Sequence, residues 1–232
     1  MSIRRILISA AVAALALTVS TSPVLAQFTP RFSQQSRREP GQIHVGLGTN
    51  VLNLGDYTSE PWPQLEAGIG LVHARLGGMI PLSGEKWFVL AEVEAQLGKT
   101  TGEFMPPYNP TARYEIGEIK QHGFSIMASL TRATSGRRSL YGAGIGYYLI
   151  SHDPLAPADM QTAGDTFLRD PFVHLGMGLQ GFYSRTIGRF NDTTVLMIEG
   201  RYKLALMGGN IPGSNRKILM SEFQLTFFVA AK

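Results

Sequence analysis

From Gly41 onward the chain repeats with a period of two, and few folds tolerate that pattern over so long a stretch. Eight segments carry it. Residues 42–50 set Ile43, Val45 and Leu47 against Gln42, His44, Gly46 and Gly48, and residues 64–74 set Leu65, Ala67, Ile69 and Leu71 against Glu66, Gly68 and Gly70. In the third, Trp87, Val89, Ala91, Val93, Ala95 and Leu97 alternate with Lys86, Phe88, Leu90, Glu92, Glu94 and Gln96. The fourth, 114–130, puts Lys120, His122, Phe124, Ile126, Ala128 and Leu130 opposite Gln121, Gly123, Ser125, Met127 and Ser129, with a phase shift at Glu118-Ile119 that predicts a bulge. Tyr141, Ala143, Ile145, Tyr147 and Leu149 face away from Gly142, Gly144 and Gly146 in the fifth; Val173, Leu175, Met177 and Leu179 face away from His174, Gly176, Gly178 and Gln180 in the sixth. The seventh opposes Thr194, Leu196, Ile198, Tyr202, Leu204 and Leu206 to Glu199, Arg201 and Lys203, and the eighth opposes Leu219, Ser221, Phe223, Leu225, Phe227 and Val229 to Met220, Glu222, Gln224 and Thr226.

Most of these segments approach or exceed the ~9 to 11 residues that a tilted strand needs to cross a bilayer, and their number is even. The connections alternate too. Residues 51–63, 98–113, 151–170 and 208–217 are long; 77–85, 131–137 and 186–192 are short. A membrane barrel sorts its loops in this way, long outside and tight inside, whereas a soluble barrel has no reason to. Composition agrees: charged residues make up 16% of the chain, against about 25% for an ordinary soluble domain. The expected fold is therefore all-β, an eight-stranded antiparallel transmembrane barrel over 41–232.

Glycine concentrates on the less apolar face. In so narrow a barrel large side chains at every inward position would clash, and Gly68, Gly70, Gly142, Gly144, Gly176 and Gly178 relieve the crowding. Gly144-Ile-Gly146 lacks the following helix and third glycine of a dinucleotide loop. Aromatic residues bracket the segments: Trp87 and Phe88, Tyr147 and Tyr148, Tyr183, Phe227 and Phe228, as in interfacial girdles.

Residues 1–26 read as a cleavable signal peptide. Arg4 and Arg5 precede an apolar run from Ile6 to Val19, and Val24 and Ala26 supply the small residues for cleavage before Gln27. Residues 27–40, QFTPRFSQQSRREP, read as a flexible leader. Without Arg4 and Arg5 the chain holds 19 basic and 17 acidic residues, so long-range attraction to nucleic acid is weak. The absence of cysteine excludes a disulfide framework and thiolate chemistry.

These patterns resemble the small eight-stranded outer-membrane β-barrel proteins of Gram-negative bacteria. The resemblance rests on Leu140-Tyr-Gly-Ala-Gly-Ile-Gly-Tyr-Tyr-Leu149, Phe172-Val-His-Leu-Gly-Met-Gly-Leu179, Ile198-Glu-Gly-Arg-Tyr202 and the terminal Phe223-Gln-Leu-Thr-Phe-Phe228. It implies residence in the cell outer membrane, contact with membrane lipid and lipopolysaccharide, and handling by the barrel-assembly machinery during insertion. Members typically end in an aromatic residue; here Val229-Ala-Ala-Lys232 follows Phe228.

No cofactor follows from the sequence. Glu92 and Glu94 share a face at a spacing compatible with acid/base hydrolysis, but Glu199, Arg201, Lys203 and Glu222 share the same lumen, and buried charges require such partners. The six are expected to form an interior structural network. None of His44, His73, His122, His152 and His174 has metal-ligand spacing. A structural or surface-interaction barrel with a packed lumen is the leading reading, with no enzymatic activity. Two rivals stand beside it: a lipid A acyl-modifying enzyme of similar architecture, for which His122 and Ser125 are the nearest Ser/His pair, and a soluble periplasmic ligand-binding barrel of the lipocalin type.

Overall fold

Residues 42–54, 64–65, 68–82, 86–104, 114–134, 138–153, 172–209 and 217–231 are described by the computed structural model. The proposed signal peptide (1–26), the leader (27–40) and most of each long connection lie outside the described residues. Nine strands follow in order: β1 (Gln42–Leu54), β2 (Gln64–Leu65), β3 (Gly68–Pro81), β4 (Trp87–Phe104), β5 (Tyr114–Ala133), β6 (Ser139–His152), β7 (Phe172–Arg189), β8 (Thr194–Gly209) and β9 (Lys217–Ala231). Each pairs antiparallel with its sequence neighbour, except that β2 and β3 both lie along β4 and together make one stave. β1 pairs with β9, which closes the sheet into a barrel of eight staves. Closure pairs the first strand of the sheet with the last, as β-structure in a medium without hydrogen-bonding partners requires.

The strands are longer than polarity alone suggests, 18 residues in β4 and 20 in β5. They take residues 51–54, 77–81, 98–104, 131–133, 151–152, 186–189 and 208–209 from stretches read above as connections. The reason is chemical. Past the apolar band the outward positions turn polar, as at Lys99, Glu118 and Lys120, while β4 and β5 stay paired with each other. Lys99 and Glu118 form an exposed ion pair there.

The phase shift at Glu118-Ile119 coincides with a register break: Thr100 pairs with Ile119 and Gly102 with Ile116, so Thr101 faces two residues of β5. A second break was not anticipated. Asn50 pairs with Leu71 but Val51 with Ile69, which leaves Gly70 as the extra residue of β3. Beyond it the outward residues are Val72 and Ala74, and the inward ones His73 and Arg75. The parity read from Leu65 to Leu71 therefore does not extend to 73 and 75, because a bulge exchanges the faces.

Period two also divides each aromatic doublet. Trp87, Tyr147 and Phe227 face outward, whereas Phe88, Tyr148 and Phe228 are buried inside. The girdle is thus half as populous as the doublets suggested.

Inside, the barrel is layered. Leu52, Leu54, Tyr148, Ile150, Met207, Ile218 and Met220 fill the end bearing the long connections. Met79, Phe88, Leu90, Leu140, Phe182, Met197 and Phe228 fill the end bearing the tight turns. Buried charged and amide side chains occupy the level between. Outside, Val45, Leu47, Leu97, Ile126, Ile145, Met177, Leu179, Leu206 and Phe223 stand exposed in an apolar surface.

Candidate functional site

β1 and β6 are the strands on which the central layer depends, because their inward positions are glycines over which neighbouring side chains reach. His73 of β3, Gly48 of β1 and Thr226 of β9 lie in one cross-strand row. With no side chain on Gly48, the His73 ring spans β1 and its Nε2 lies 2.9 Å from Thr226 Oγ1. A Cβ on Gly48 would stand 2.7 Å from His73 Cε1. On the opposite wall Gln180 Nε2 donates to Ser129 Oγ at 2.8 Å across Gly144. Gly77 does the same for His44 Nε2 and Glu92 Oε1, 3.2 Å apart.

All six residues expected inside the lumen are there, each 1–3% exposed. Arg201 forks onto Glu92, with Nη1 2.6 Å from Oε2 and Nη2 3.0 Å from Oε1. Its Nε donates to Glu199 Oε1 at 2.9 Å, and its guanidinium carbon lies 4.7 Å from the centroid of the Phe182 ring. Lys203 Nζ bridges Glu94 Oε1 (2.6 Å) and Glu222 Oε2 (3.1 Å).

The organising residue is one that the sequence reading missed. Arg75 Nε donates to Glu94 Oε2 at 3.1 Å, Nη1 pairs with Glu199, and Nη2 donates to Thr226 Oγ1 at 3.2 Å and to Gln224 Oε1. It thereby joins the Arg201–Glu92–Glu199 group to the Lys203–Glu94–Glu222 group. Amides complete the belt: Gln224 Nε2 donates to Glu94 Oε1 (2.8 Å) and Glu222 Oε1 (2.9 Å), while Asn50 Nδ2 donates to Glu222 and to Gln96 Oε1. Arg75 escaped notice because the Gly70 bulge reverses parity between it and the segment used to set the register. The visible signal was Val72-His73-Ala74-Arg75-Leu76, a short alternation of its own.

Chemically the belt is occupied with itself. Three cations meet four carboxylates at contact distance, and both Glu92 and Glu94 are held by two or more cationic or amide donors. The gap ringed by His44, Gly46, Arg75, Glu92, Glu199, Thr226 and Phe228 leaves no space that a water molecule can fill. An acid/base pair needs substrate access, and apolar layers lie above and below this one. Ser125 is buried in the lumen while His122 lies on the outer parity, its Nε2 3.7 Å from Asp153 Oδ1, so the two do not meet. Among the described residues no three His, Cys, Asp or Glu are grouped to hold a metal ion.

No protein-family model matches the sequence, and no curated protein matches it. Among solved structures the chain is similar to the outer membrane protein OprG from Pseudomonas aeruginosa, with 13% identity and a TM-score of 0.45 over 82% of this chain and 94% of that one. It is similar to Ail, the attachment invasion locus protein of Yersinia pestis, with 8% identity and a TM-score of 0.45 over 82% and 97% of the two chains. A third is Neisserial surface protein A, with 12% identity and a TM-score of 0.39 over 83% and 96%.

Proposed function

We propose that the chain is an outer-membrane β-barrel with a closed lumen, whose strands hold the four long connections outside the cell as its surface for interaction. The observation that carries this is the direction of its polarity. Ion pairs fill the inside and exposed leucine, isoleucine, valine, methionine and aromatic side chains cover the outside. Contiguous apolar surface on this scale is not tolerated in water but is what hydrocarbon requires. A lipocalin-type barrel has the opposite need, an apolar cavity inside and a charged exterior, whereas here paired charges occupy the middle of the lumen.

In this reading the belt fills and locks the barrel rather than acting on a substrate, lipid and lipopolysaccharide surround the apolar band, and the assembly machinery inserts the chain after removal of residues 1–26. Fractionation of cells making the full chain tests it. The protein is expected in the outer membrane, starting at Gln27 by mass spectrometry, and migrating faster on gels before heating than after. Recovery in the soluble periplasm without heat-modifiable migration would overturn the proposal. Release or transfer of fatty acid from lipopolysaccharide by the purified barrel, lost on replacing one serine or histidine, would establish the enzymatic reading instead.

A further inference from the structure

Five cations gather at the tight-turn end, all on one flank. Lys86 lies in the β3–β4 turn, Arg132 at the end of β5, Arg138 in the β5–β6 turn, and Arg185 and Arg189 on the last part of β7. All are exposed, and none pairs with a carboxylate among the described residues. The same rim holds one described acid, Asp192. On the β8, β9 and β1 flank the outward residues at this end are Leu196, Ile198, Phe227, Val229, Ile43 and Val45, with no charge.

The cations are interleaved with aromatic residues in register. Trp87, Arg132, Tyr141 and Tyr183 form one cross-strand row over β4 to β7. The Arg132 guanidinium carbon lies 5.4 Å from the centroid of the Trp87 ring, and the Tyr183 hydroxyl is 3.0 Å from Ser139 Oγ. Arg185 is the cross-strand partner of Ser139, next along from this row. Backbone bonds from Ala133 to Lys86 O (2.8 Å) and from Thr186 to Arg138 O (2.8 Å) tie the turns to the neighbouring staves and fix the backbone positions from which the charges project. Directly toward the barrel centre the outward surface becomes Leu130 and Ile145, which are apolar.

We infer that this flank is a binding surface for the phosphates of anionic glycerophospholipids in the leaflet on the turn side. The inference rests on the membrane-spanning reading. Amphipathic rings sit at headgroup level, and arginine stems run along apolar surface to place guanidinium groups among phosphates. Planar forks match phosphate oxygens in two-point contacts. Four arginines and one lysine against a single described acid, directly above an apolar belt, have as their natural counter-charge the lipid headgroup at the same depth.

The test uses the refolded full chain in vesicles of phosphatidylcholine alone and of phosphatidylcholine with phosphatidylglycerol, with spin-labelled lipids of both headgroups as probes. Heat-modifiable migration is recorded on every sample. The wild-type barrel is expected to hold phosphatidylglycerol in preference to phosphatidylcholine by about fivefold or more, the scale of one cation at an anionic surface. The preference should disappear in a variant carrying R132Q, R138Q, R185Q and R189Q that still migrates as a folded barrel. R185Q/R189Q alone should reduce it partway. Equal association of both lipids with a folded wild-type barrel, or an undiminished preference in the folded fourfold variant, would overturn the inference while leaving the membrane-spanning reading intact. Failure of the wild type to insert into either vesicle would overturn both. Preference for the phosphates of lipopolysaccharide over those of phosphatidylglycerol would overturn the assignment to the turn-side leaflet.

Discussion

Arg201 shows how much a single buried side chain carries inside the barrel. It satisfies both oxygens of Glu92 and one of Glu199. R201M would leave two carboxylates short of their counter-charge, and breaking a buried pair from one side costs about 3–5 kcal/mol. Urea titration of the refolded barrel, followed by tryptophan fluorescence, should show that loss. The glycines offer a sharper contrast. A Cβ at Gly77 would collide with His44 and stand 2.9 Å from Glu92 Cγ, whereas at Gly78, one position on and facing outward, the nearest atom is Gln42 O at 4.0 Å. G77A should therefore destabilise by about 1–3 kcal/mol and G78A by much less. At this scale the sequence was legible where alternation was unbroken. Glu92, Glu94, Glu199, Arg201, Lys203 and Glu222 stand out because each lies between two outward residues of a clean run. Arg75 does not, since one inserted glycine reverses the face on which it falls, and the bridging role of Gly48, Gly77 and Gly144 depends on which strand lies on either side.

Within one strand the two faces meet different media, and β4 is the plainest case. Val89, Ala91 and Val93 point outward between the inward Leu90, Glu92 and Glu94. In the membrane-spanning reading V93R places a cation in hydrocarbon on a strand already charged on its other face, at a cost of about 2–4 kcal/mol near the midplane. Spin labels at 93 and 94, introduced one at a time, should differ in exposure to a lipid-soluble relaxing agent; equal exposure would reject the register. The number, direction and order of the staves could be read from period two and loop length because those follow from backbone geometry. Strand ends could not. They are set by how far hydrogen-bonded pairing persists after hydrophobicity stops, as in β4 and β5 beyond Lys99 and Lys120, and nothing in local composition reports that.

At the scale of the whole molecule the barrel and its long connections can be tested apart. β6 and β7 stay paired up to His152 and Phe172, so the staves are already aligned where the connection leaves them. Shortening 155–168 to a tight turn should change stability by less than about 1 kcal/mol, since closure entropy varies slowly with length. Heat-modifiable migration should persist, while any interaction made through that connection should be lost. A variant that no longer refolds would show that the connection belongs to the barrel's stability.

The belt also has a temporal consequence. Its partners are far apart along the chain: 109 residues separate Arg201 from Glu92, 124 separate Glu199 from Arg75, and 172 separate Glu222 from Asn50. The strands made first set Arg75 alone against both Glu92 and Glu94, so a partly assembled sheet carries uncompensated charge on its inward face until Arg201 and Lys203 arrive. Contacts this distant are slow to form, and here they reward the chain only when its first and last strands meet. Assembly is thereby made all-or-none: an incomplete sheet has few of its inward charges matched, and a completed one has little reason to reopen.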